Sequence, residues 1–261
     1  MRHARKHRHS VKKGNVFMIR LVLILLFVVL FLICSIPLLI IEYFIGKFNM
    51  DAKNRSSLAI VNWAFRVCLL IAGVKVTVIG EENVPKDQAV LYVGNHRSYF
   101  DILLTYVRVP RPTGYISKKE ILRIPLLRDW MKNLHCLFLD RKDIKQGMKT
   151  ILEGIEKIHS GISICIFPEG TRNKINDTFL PFHEGSFKIA DKSGCPIVPM
   201  SINNAAAIFE DHIPKVKKAH IILEYGKPIY MSEMTREEKK GIGAKVQEII
   251  KETYFKNKEL V

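Results

Sequence analysis

Residues 95–101 read N-H-R-S-Y-F-D and set a histidine and an aspartate five positions apart. Histidine titrates near neutrality when unperturbed, so His96 can take a proton from a hydroxyl. A carboxylate on its other ring nitrogen, here Asp101, would fix the tautomer and stabilise the imidazolium. The same two residues also fit a plainer pairing, a surface histidine beside an aspartate that caps a helix. On a straight helix five positions turn through about 140°, which would point the side chains apart. The pair meets only where the backbone bends, with His96 in a turn and Asp101 in the first turn of the next helix. Ser98 lies in the same stretch, but no G-x-S-x-G elbow surrounds it to make it a nucleophile.

Two further groups carry potential chemistry. Residues 167–173 read F-P-E-G-T-R-N directly after an apolar run. Gly170 permits close backbone approach, and Arg172 suits bidentate phosphate recognition. Glu169 either orients Arg172 or binds a substrate hydroxyl. A tight turn with a Glu–Arg surface pair is the competing explanation. Arg141 ends the run L-H-C-L-F-L-D-R and either joins Arg172 around one anion or flanks a helix as a surface charge.

These residues need strand ends to hold them. Residues 89–94, A-V-L-Y-V-G, are short, apolar and β-prone, so they predict a buried strand that Gly94 and Asn95 terminate. Strands are also predicted at 74–79, 115–117, 136–139, 162–167, 197–202 and 220–225. Helices are predicted at 101–107, 125–132 and 185–192. Asp143 caps another, whose apolar residues from Ile144 to Ile158 follow helical spacing until Gly161. Thr235 and Glu238 form a capping box for a final helix to about Phe255. Alternating strands and helices predict an α/β fold with a mixed sheet covered by helices. Within it, 74–261 would be the catalytic domain.

The N-terminal part is different. Residues 1–20 carry seven Lys/Arg, and no acidic residue precedes Glu42. Residues 21–41 are uncharged and apolar, and as one helix would span about 31 Å, close to the roughly 30 Å of a bilayer core. The run is long for a signal peptide and no small-x-small cleavage site follows. The basic flank places the N-terminus in the cytoplasm. Residues 49–57 read as a polar turn. Residues 58–73 form a shorter apolar stretch interrupted by Arg66, whose insertion at a bilayer centre costs about 2.5–3.5 kcal/mol. A re-entrant or interfacial helix is expected there, with a packed core helix as the alternative. Residues 21–73 thus predict a membrane-associated helical segment. A hairpin would return the rest of the chain to the cytoplasmic side of the cell membrane.

Composition fits that placement. The net charge of +16, from 41 Lys+Arg against 25 Asp+Glu, points to an anionic partner. Cys34, Cys68, Cys136, Cys165 and Cys195 are scattered and odd in number, which argues against a disulfide scaffold or a zinc site. No basic strip interleaved with aromatics suggests single-stranded nucleic acid.

In combination the motifs resemble the glycerolipid acyltransferase family, specifically the 1-acyl-glycerol-3-phosphate acyltransferases. The resemblance rests on N-H-x-x-x-x-D at 95–101, the strand ending in Arg141, F-P-E-G-T-R at 167–172 and P-I-V-P-M-S-I at 196–202. It implies acyl transfer from acyl-CoA or acyl-acyl-carrier-protein to the free hydroxyl of a lysophosphatidate, giving phosphatidate. His96 would be the general base and Asp101 its orienter. Glu169, Gly170, Thr171 and Arg172, with Arg141, would line the acceptor site. No metal or other cofactor is implied, and the partners would be a membrane lipid acceptor, the acyl donor and the membrane surface. One departure stands out: where the family often has a lysine before a glycine, this chain has His183 and Glu184 before Gly185. A different lysophospholipid acceptor, or a non-catalytic basic membrane-binding protein, are the alternatives.

Overall fold

Every residue of the runs at Leu91–Gly94 (β2) and Ser163–Ile166 (β5) is buried, as expected of strands covered on both faces. The structure, a computed structural model, describes residues 2–261, with side chains from Phe17 onward. The other strands are Lys75–Ile79 (β1), Thr113–Lys118 (β3), Leu137–Leu139 (β4), Ile197–Asn203 (β6) and His220–Tyr225 (β7). They form one mixed sheet in the order β1-β7-β6-β2-β5-β3-β4, antiparallel only between β6 and β7. Strands β6, β2, β5, β3 and β4 therefore all end on one edge of the sheet.

Alternation along the strands divides the core in two. Tyr92, Cys165 and Val198 face one side, where they meet helices Met50–Ala72 (α3), Phe100–Tyr106 (α4) and Leu127–Asn133 (α5). Leu91, Val93, Ile164 and Ile197 face the other. There they pack on Ile144–His159 (α6), Lys188–Ser193 (α7) and Ile242–Asn257 (α9). Asp143 caps α6 as expected, accepting from the N–H groups of Lys145 and Gln146. The Thr235–Glu238 capping box is also present, but it opens only a short helix, Arg236–Lys240 (α8). The expected single C-terminal helix is broken at Gly241 before α9 begins.

The N-terminal segment departs further from expectation. The apolar run at 21–41 is not one helix. Helix Arg2–Cys34 (α1) stops, Ser35 leaves helical geometry, and Ile36–Phe48 (α2) starts with Pro37 in its first turn. Proline lacks the N–H that would continue the ladder, so the break falls where its absence costs least. The six Lys/Arg between Arg2 and Lys13 lie outside the described side chains. The stretch at 49–57, expected as a turn, is the start of α3: the Asn49 side chain accepts from the Ala52 N–H at 2.9 Å. Polarity there reflects a cap rather than a loop. Gly73, at φ +72°, ends α3 in the left-handed conformation that glycine adopts freely.

Helix α3 joins the core on the Tyr92 face of the sheet through Val61, Leu69 and Ala72. Its Arg66 donates to the carbonyl of Val107 at 2.9 Å, so the charge interacts with the end of α4. Buried Glu42 of α2 accepts from Ser57 of α3 at 3.1 Å. Trp130 Nε1 donates to Ser35 Oγ at 2.8 Å, fastening the α1–α2 break to α5. The outer faces of α1 and α2 leave large apolar residues exposed from Met18 to Phe48. Residues Phe17–Cys34 and Met50–Ala72 are long and apolar enough to cross a membrane, by length and composition.

Candidate active site

Strand β2 delivers Asn95 and His96 to the shared sheet edge. Asn95 fixes the exit: its amide donates to the Ile202 carbonyl at 3.0 Å and accepts from the Ile202 N–H at 2.9 Å, clamping the turn to β6. The chain then bends into α4, whose first turn carries Asp101. One carboxylate oxygen, Oδ2, accepts from the N–H groups of Arg97 and Ser98, each at 2.8 Å, and from His96 Nδ1 at 2.9 Å. The bend and the imidazole are thus held by the same atom. Because a carboxylate only accepts, Nδ1 is the donor, and in the neutral ring Nε2 carries the lone pair. Asp101 is wholly buried, and its Oδ1 has no hydrogen-bond partner among the described residues.

The turn after β5 grips His96 from the other side. Phe167 stacks on the imidazole with ring centroids 4.4 Å apart and planes 15° apart. The His96 N–H donates to Glu169 Oε1 at 2.8 Å, and the Asn173 N–H donates to the His96 carbonyl at 2.8 Å. Ring, donor and acceptor of His96 are each constrained, while the side chain stays 16% exposed.

Glu169 does not orient Arg172. It is buried, and its second oxygen accepts from the Leu180 N–H at 3.0 Å, so both oxygens serve backbone groups. Burial pushes its carboxyl up, while the His96 and Leu180 N–H groups pull it back. Its work is to join the turn after β5, the loop at 180 and the His96 turn.

Arg172 is held by two residues that sequence patterns did not single out. Its Nη1 donates to Glu210 Oε1 at 3.3 Å, and its guanidinium carbon lies 3.4 Å from the centre of the Tyr99 ring. Glu210 also accepts from Ser98 Oγ at 2.6 Å and from the Tyr99 N–H at 2.7 Å. Ser98 is therefore a buried structural hydroxyl. No local pattern marks Glu210, which lies seven residues beyond the end of β6 in E-D-H at 210–212, and its partners are too far away in sequence to link to it.

Arg141, exposed after β4, converges on the same turn. A Cβ on Gly170 would lie 3.9 Å from the Arg141 guanidinium carbon and 3.3 Å from both Cδ2 and Nε2 of His183. Gly170 has φ +69°, so the turn needs glycine both for its backbone and for this crowding. His183 and Arg141 thus both approach Gly170. Thr171 is exposed at the tip of the turn. Among the described residues no three His, Cys, Asp or Glu side chains converge as a metal-ligand set.

The acyltransferase family model matches residues 75–203, which include every one of these motifs. A 1-acyl-sn-glycerol-3-phosphate acyltransferase of Helicobacter pylori is 32% identical over 231 residues, covering 87% of this chain and 91% of that protein. The enzymes of the same name from Borreliella burgdorferi and Saccharomyces cerevisiae are 33% and 28% identical over 61% and 72% of this chain. The matched part spans just under two thirds, 63%, of each of those two relatives. The crystal structure of the 1-acyl-sn-glycerophosphate (LPA) acyltransferase PlsC from Thermotoga maritima shares the fold, with a TM-score of 0.79 at 21% identity over 94% of this chain and 98% of that one. With the Helicobacter pylori relative matched almost end to end, the chain belongs to the 1-acyl-sn-glycerol-3-phosphate acyltransferase family.

Proposed function

We propose that the chain transfers an acyl group from a thioester to the free hydroxyl of 1-acyl-glycerol 3-phosphate, giving phosphatidate. The observation that carries this reading is His96 Nε2, left free by the Asp101 contact, at the sheet edge that also presents Arg141, His183 and Arg172. In the proposed step Nε2 takes the hydroxyl proton as the oxygen attacks the thioester carbonyl. The C–O bond forms, the C–S bond breaks, and the proton passes from His96 to the departing thiolate. Asp101 stabilises the imidazolium between the two transfers. Arg141, His183 and Arg172 are the groups assigned to the acceptor phosphate. Acyl-CoA and an acyl carrier protein are both chemically competent donors.

The acceptor and product are lipids, and the exposed apolar faces of α1 and α2 supply a seat in the bilayer. We place the catalytic edge on the cytoplasmic side, following the basic N-terminal flank. The test is purified full-length chain with labelled acyl-CoA and a panel of lyso-acceptors. Phosphatidate from 1-acyl-glycerol 3-phosphate is expected. Absence of product with every acceptor would sink the enzymatic reading; product only from unphosphorylated acceptors would sink the phosphate assignment.

A further inference from the structure

We propose that the outer face of α6 is the docking surface for an acyl carrier protein, an acidic helical protein that bears the acyl group as a thioester. The proposal rests on the acyl-transfer reading and names its donor. The apolar stripe of helix α6 is wider than the sheet covers. Thr150, Gly154 and Ile158 face inward. Ile144, Met148 and Leu152 form an outward row four residues apart, 86%, 45% and 57% exposed. On a helix that spacing makes a continuous ridge about 12 Å long. Isolated exposed apolar residues are ordinary, but an aligned row is the pattern of a partner helix.

Charge beside the ridge selects the partner. Exposed Lys142, Lys145 and Lys149 lie at the N-terminal half of α6, following Arg141. The one acidic residue among them, Asp143, is committed to the helix cap. Glu153 and Glu156 lie toward the other end, so positive charge gathers where α6 approaches the catalytic edge. A bilayer is a poor occupant, because α6 covers the sheet face opposite to α3, on which α1 and α2 pack. A second copy packed antiparallel would set the lysines of one α6 against Glu153 and Glu156 of the other, an arrangement that a change of oligomeric state in the variants would reveal. An acidic soluble protein satisfies both the ridge and its basic border. It would sit next to Arg141, whose guanidinium lies against Gly170, and so present its thioester toward His96.

Full-length chain should be assayed with acyl-CoA and with acyl carrier protein loaded with the same acyl group, and carrier binding should be titrated directly by fluorescence anisotropy. Two double variants separate the contributions: Met148→Ser with Leu152→Ser, and Lys145→Glu with Lys149→Glu. Each should raise the KM for the loaded carrier about tenfold or more and weaken carrier binding alike, with acyl-CoA kinetics within about twofold of wild type. Retained acyl-CoA turnover also reports intact folding. Wild-type carrier binding should weaken with added NaCl, and the charge variant should lose that dependence. Equal changes with both donors, no change with either, or use of acyl-CoA without carrier binding would overturn the proposal. A variant that alters oligomeric state or vesicle binding instead would assign the ridge elsewhere. If wild type transfers from neither donor, the acyl-transfer reading fails, and the binding titration still decides the docking surface.

Discussion

Asp101 uses a single oxygen for three hydrogen bonds, two to the turn and one to His96. Substitutions can therefore separate holding the bend from stabilising charge. His96→Ala should cost about 10²–10⁴ in turnover, the usual worth of a general base, with unchanged circular dichroism. In Asp101→Asn the amide oxygen can still accept from the turn, but the imidazolium loses its counter-charge. The variant should fold and turn over slowly, whereas Asp101→Ala should also lose stability. Wild-type turnover in Asp101→Asn would remove the aspartate from the mechanism. Arg172→Ala should raise the KM for a phosphorylated acceptor about 10–100-fold, the range of a charge-assisted hydrogen bond, with a smaller rise for Glu210→Gln. At this scale the sequence was informative about His96 and Asp101 because their spacing forces a bend. It was uninformative about Glu210, whose contacts to Ser98 and Arg172 cross 112 and 38 positions. For Glu169 the sequence left two roles open, because adjacency in a motif does not say which oxygen the backbone will claim.

Among the elements, β2, β5 and β6 were legible since burial on both faces leaves unbroken apolar runs. The breaks were harder to see. Ser35 interrupts a stretch that is apolar on both sides, and hydropathy does not register a missing N–H. Asn49 looked like a loop because caps and turns use the same residues. Close approach between elements gives its own prediction. A Cβ on Gly114 of β3 would collide with the His135 carbonyl oxygen, which is backbone and cannot swing aside. Gly114→Ala should destabilise by about 1–3 kcal/mol in urea unfolding. His135 itself bridges elements: Nε2 meets Asn54 Oδ1 at 2.8 Å, and Nδ1 lies 3.5 Å from Lys157 Nζ. Burial, with Lys157 and Lys53 adding to it, lowers its pKa from 6.5 to about 4. The unfolded chain then binds the proton first, so this contribution is complete above the unfolded pKa of 6.5 and is lost as pH falls toward 4. Urea midpoints should drop across that window in wild type and drop less in His135→Asn; parallel slopes would refute the assignment.

For the whole molecule, the two sheet faces are given over to different surroundings. One carries α3 and, through it, the apolar α1–α2 surface, and the other carries α6, α7 and α9. The strand ends that hold His96, Arg141 and Arg172 lie between them. The chain's two tryptophans fall on the α1–α3 side of this division in opposite environments. Trp63, 57% exposed, touches Phe27 and Phe31, while Trp130, 2% exposed, is bonded to Ser35. The protein thus contains its own optical depth gauge. Emission from Trp63 should shift to the blue on adding vesicles and be quenched by lipids brominated along the acyl chain, while Trp130 serves as an internal standard. In Trp63→Phe the vesicle-dependent shift should vanish. In Trp130→Phe it should persist, and quenching by each bromine position would then read how deeply the bent helix pair sits.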